Sequence, residues 1–192
     1  MPLSGMRQLL VLAVLAPALA VASSPAPAAS PQDADALARL AALEAQVLRE
    51  LNRVRAARGL RPLRPADPLR AAAASHSRAM LRAGFFDHDS PDGTSFADRL
   101  RRFYPDRGWE RWAVGETLLA GTDGTGARAV VGAWLDSPPH REIILSAAWR
   151  EAGIGAFWAS PSPPLFGGGP AVVVTADFGV RTGRGQQPGF AP

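Results

Sequence analysis

The chain has 192 residues, 47% of them hydrophobic and 20% charged, with mean hydropathy of −0.01. Those values fit one globular domain with extra segments and exclude both a disordered chain and an integral membrane protein. There is no cysteine, which excludes disulfides, thiolate metal sites, cysteine nucleophiles and a lipoprotein anchor. All 21 basic residues are arginine and Tyr104 is the only tyrosine, so the pI of 11.0 records missing lysines rather than a strong field. A net charge of +4, with 17 acids interspersed, argues against nucleic acid as a partner.

Arg7 is the only charge before Asp33, and Leu9 to Ala20 is an apolar run of 12 residues. That run is too short to span a bilayer and suits the hydrophobic region of a signal peptide. Ala20-Val21-Ala22 supplies the small-x-small cleavage pattern, so residues 1–22 are predicted to be removed after Ala22 and the protein to be exported. An uncleaved N-terminal anchor is the competing reading. Residues 23–32 read as a flexible Pro/Ala/Ser linker, 33–179 as one domain and 180–192 as a frayed tail. A disulfide-free exported chain of this size points to a bacterial extracellular or periplasmic protein.

Ser30-Pro31-Gln32-Asp33 has the chemistry of a helix start, and Leu37, Leu40, Val47, Leu51 and Val54 continue at helical spacing until Gly59. Residues 61–67 hold two prolines and read as a loop. Pro68 opens a second helix with Leu69, Ala73, His76 and Met80 on one face, ended by Gly84. Residues 87–94 are turn chemistry, and 96–103 form a short helix. Ala113 to Ala120 reads as a strand, 127–135 as a helix, and Ser137-Pro138-Pro139 starts another. Gly153 to Ala159 and Ala171 to Phe178 close the body as strands joined by a Pro/Gly-rich connection. Gly153-x-Gly155 lies in a strand and opens no helix, so it is not a phosphate loop. Helices precede strands instead of alternating strictly with them. An α+β fold with a mainly antiparallel sheet covered by helices therefore fits better than a doubly wound one.

The chain has three histidines. His76 lies on the apolar helix face, where a satisfied core histidine is the default. His88, between Asp87 and Asp89, is either a partly protonated functional group or loop decoration. His140, at a helix start, is either a neutral imidazole able to bind metal or accept a proton, or a packing residue. Glu116 interrupts an apolar strand, so its carboxylate needs a partner. Of the five tryptophans, Trp109 and Trp112 stand in the most polar surroundings and are expected to be exposed.

Together these segments resemble the CAP superfamily of cysteine-rich secretory, antigen 5 and pathogenesis-related proteins, in its bacterial cysteine-free branch. The resemblance runs through Leu51-Asn52-Arg53-Val54-Arg55, Gly84-Phe85-Phe86-Asp87-His88, Gly115-Glu116-Thr117, Trp134-Leu135-Asp136-Ser137-Pro138-Pro139-His140-Arg141 and Asp177-Phe178-Gly179. It implies a three-layer α-β-α sandwich with a cleft where His88, Glu116 and His140 meet. Ser137 falls near the place of the family's second cleft glutamate, and Thr117 replaces its usual asparagine. The expected function is an extracellular binding module for a lipid or sterol, a cell-envelope component or an extracellular protein, with no assigned catalytic residue. The alternative is a metal-dependent peptidase or nuclease. No cofactor is required, while His88, His140 and Glu116 are the candidate ligands for a weakly held divalent ion such as zinc. No transmembrane anchor is expected after processing.

Overall fold

The computed structural model describes residues 31–184. The predicted signal peptide, residues 23–30 of the linker and residues 185–192 lie outside them. Five helices and four strands follow in the order α1 (Pro31–Ala56), β1 (Arg64–Pro65), α2 (Asp67–Ala83), α3 (Phe96–Phe103), β2 (Trp109–Thr122), α4 (Ala127–Asp136), α5 (Pro138–Leu145), β3 (Glu151–Ala159) and β4 (Ala171–Arg184). A 3₁₀ turn, Pro164–Phe166, sits between the last two strands.

The sheet has the order β1-β3-β4-β2. β4 runs antiparallel to both neighbours, and only the two-residue β1 is parallel to β3, so the sheet is mixed but mainly antiparallel. One face packs against α1, α4 and α5 around Val47, Leu51, Trp134, Ile144 and Phe178. The other is covered by α2 and α3 through Met80, Leu81, Leu69 and Leu100. This is the expected α-β-α sandwich.

α2 carries Pro at its start and ends on Gly84, which adopts the left-handed conformation (φ 70°) that closes a helix. Its buried face includes Leu69, Ala73, His76 and Met80. It lies directly on β3, because a Cβ at Gly153 would meet the Arg70 backbone nitrogen at 1.9 Å and one at Gly155 the Ala74 nitrogen at 2.0 Å. The Gly-x-Gly spacing therefore serves close helix-on-sheet approach. Ser77 uses that approach to donate from Oγ to the Gly155 carbonyl (2.9 Å).

Several boundaries differ from the sequence reading. Pro31 and Gln32 belong to α1 instead of the linker. β4 continues past Gly179 to Arg184, because β2 pairs with it as far as Trp109↔Arg184 and Val180 is buried. Residues 64–65 form a strand within the expected loop. Asn52 prepares it, donating from Nδ2 to the Leu63 carbonyl (3.0 Å) and accepting the Leu63 amide (2.7 Å). Leu37 is 62% exposed, since α1 reaches the core only from Leu40 onward.

Candidate functional site

Glu116 stands in the middle of β2, in register with Asp177 of β4. Both are buried. Three other elements converge on them. His88, in the loop after α2, bonds through Nδ1 to Glu116 Oε1 at 2.8 Å. Arg99, on α3, donates from Nη2 to Glu116 Oε2 at 2.5 Å and to the His88 carbonyl at 3.3 Å. His76, on α2, donates from Nε2 to the Asp87 carbonyl at 2.9 Å, and the same nitrogen lies 4.0 Å from Glu116 Oε1. His76 is a buried histidine, as its spacing predicts, but it also anchors the loop that presents His88.

Burial pushes the Glu116 carboxyl up, but the His88 hydrogen bond and the Arg99 charge outweigh it and hold the group below its ordinary value. Asp177 is driven well up, first by complete burial and then by the Glu116 charge beside it. Both effects favour its neutral form. His88 is raised by its bond to Glu116, and the charge of Asp87 adds to the effect. His76 is lowered by burial and the Arg99 charge. His140 is lowered by burial first and then by the charge of His88. His140 lies near the start of α5, half-buried, and its side chain makes no hydrogen bond among the described residues. His88 keeps 45% of its side chain exposed and meets Phe96 edge-on. It is the part of the cluster that faces solvent.

The structure thus joins His88 to Glu116 directly, whereas His140 is linked to His88 only through its charge. It does not fit a zinc ion held by all three. Among the described residues no group of three His, Cys, Asp or Glu side chains is arranged to hold a metal ion. One Glu116 oxygen is committed to a guanidinium and the other to His88. The carboxylate can orient the His88 ring, in the manner of an outer partner of a metal-binding histidine, but it offers no free ligand face. Among the described residues neither Ser90 nor Ser137 hydrogen-bonds a histidine.

Arg99 and Asp177 escaped the sequence reading. Asp177 carries the signal that singled out Glu116, an acid inside an apolar strand. Arg99 carried none, because arginine on a short helix is ordinarily solvated. The tryptophans also differ from expectation. Trp109 and Trp112 are half-buried under the guanidinium groups of Arg181 and Arg101, at 5.1 and 4.7 Å from the ring centroids. Trp158 is the more exposed one, at 37%.

The family described as "CAP: Cysteine-rich secretory protein family" matches residues 48–160. Solved structures with the same fold include an outer surface protein of Borrelia burgdorferi, at 20% identity and TM-score 0.55, covering 71% of this chain and 90% of that one. An extracellular SCP-domain protein of Bacillus anthracis matches at 22% identity and TM-score 0.59, over 80% of this chain and 44% of that one. A cysteine-rich secretory protein of Staphylococcus aureus matches at 15% identity and TM-score 0.51, over 73% and 38%. The chain spans less than half the length of the last two. No curated protein matches it.

Proposed function

The chain belongs to the cysteine-rich secretory protein (CAP) family, and on that premise we propose that it is an exported binding module. Its His88 cleft captures a lipid or sterol, a cell-envelope component or a protein partner outside the cell. The observation that carries this reading is the state of Glu116. With Arg99 on one oxygen, His88 on the other and the buried Asp177 in register beside it, the carboxylate is a fixed support for the His88 ring. A metal-dependent hydrolase would ask that same carboxylate to ligate an ion or activate water. The extracellular and outer-surface descriptions of its structural neighbours support export. Among the described residues no helix is long and apolar enough to cross a membrane.

The test is metal and lipid analysis of protein purified natively, as wild type, His88→Ala and His140→Ala. A stoichiometric organic ligand or partner that is lost with His88→Ala supports the binding module. A stoichiometric divalent ion lost with both substitutions would replace it with the hydrolase. Added zinc should bind only weakly, through the two imidazoles, and calorimetry should show less binding at pH 5.5 than at 7.5 as they protonate (about pH 6.5 for a free imidazole).

A further inference from the structure

Four large apolar side chains are exposed among the described residues, and three lie at the same end of the sheet: Phe86 at 41%, Trp158 at 37% and Leu165 at 60%. Phe86 follows α2, and Leu165 sits in the 3₁₀ turn of the β3–β4 connection. The two loops are in contact. Phe86 meets Phe166 edge-on with ring centroids 6.2 Å apart, and a Cβ added to Gly84 would lie 3.2 Å from Cβ of Pro163. Pro163 and Pro164 fix φ on the approach to Leu165, which the 3₁₀ turn leaves exposed. Alongside, the guanidinium groups of Arg78 and Arg82 lie 5.4 and 5.7 Å from the centroid of the Phe157 ring. Neither forms an ion pair among the described residues. The nearest acid in sequence, Asp87, turns its carboxylate back to accept the Asp89 amide at 3.1 Å.

We propose that this ridge docks the protein on an anionic membrane surface, with Leu165 and Phe86 entering the boundary between headgroups and acyl chains while Arg78 and Arg82 face lipid phosphates. Apolar tips beside unpaired cations match such a surface in both polarity and charge. Size argues in the same direction. A stable protein interface buries about 1,200–2,000 Å² of well-matched area. Two side chains on loop tips offer little of that, whereas a fluid lipid surface closes around a small wedge without a complementary shape. Docking would bring His88, two residues from Phe86, to the bilayer surface. The proposal does not depend on what the cleft holds.

The test is co-sedimentation of the exported protein with vesicles of phosphatidylcholine containing about 30% phosphatidylglycerol, beside vesicles of phosphatidylcholine alone. Wild type should sediment with the anionic vesicles and be released near 1 M salt, where the screening length falls to about 3 Å. Arg78→Gln with Arg82→Gln should weaken partitioning about 30-fold, from about 1 kcal/mol for each cation at the surface. Leu165→Ser should weaken it about tenfold with unchanged circular dichroism. Equal binding to neutral vesicles, or full binding by either variant, would overturn the proposal. So would light scattering that finds a dimer broken by Leu165→Ser, because a second copy would then occupy the ridge.

Discussion

Glu116 and Asp177 are carboxyl groups in facing register positions, and their surroundings drive them in opposite directions. Arg99 and His88 favour the ionised form of the first, and its charge favours the neutral form of the second. The sign of the pH dependence follows. A group with a folded pKa above its ordinary 3.8 supports folding fully below that value and loses this contribution as pH rises toward the folded pKa. Asn in place of Asp177 keeps the shape of the side chain but has no proton to lose. Asp177→Asn should therefore match wild type near about pH 4 and exceed it increasingly toward neutrality. Urea melts across that range check it, and a variant less stable at every pH would contradict the assignment. The two histidines on Glu116 should titrate in opposite senses. His88 is raised above 6.5, so its contribution is complete below 6.5 and fades as pH climbs through its folded pKa. His76 is depressed, so its contribution is complete above 6.5 and fades as pH falls through its folded pKa. NMR should resolve a His88 midpoint above that of His76, and Glu116→Gln should bring the His88 midpoint down. Coincident midpoints would refute the pairing.

The short elements show where periodicity sufficed. α2 and α3 emerge close to their predicted limits because Pro68, Gly84 and the Ser95 cap act locally. The Ser95 side chain accepts the Asp98 amide, and a neighbouring turn is not required for it to do so. β2 and β4 outran their apolar cores for the opposite reason: polar residues such as Arg111 and Thr182 are strand only because each faces the other across the ladder. Long-range pairing of that kind leaves no local trace. The cleft was half legible on the same principle. An acid in an apolar strand announces that it needs a partner, and Glu116 was found that way, but nothing near Arg99 says which carboxylate it serves. Gly153 and Gly155 were recognised as strand residues, while their purpose appears only with α2 laid across them. Gly155→Ala should cost about 3 kcal/mol by forcing helix and sheet apart, seen as a lowered melting temperature. A neutral outcome would mean that α2 does not sit on the β3 backbone.

At the scale of the molecule, β4 is the keystone of the sheet. It separates β3 from β2, and without it β3 retains only the two-residue β1 while β2 has no partner among the described strands. Removing residues 171–192 should therefore abolish cooperative unfolding altogether, detectable as the absence of a thermal transition. A melting truncated chain would show that the helices hold together unaided. The pairing is also remote along the chain: Arg64 finds Glu151 across 87 residues, and such topologies assemble slowly. Strand order here has a bearing on biosynthesis. β4 is the last of the described strands to be synthesised, so a growing chain that has not reached Ala171 cannot complete this sheet. Such a chain stays open until residues 171–184 have been made, and the architecture itself delays folding to that point.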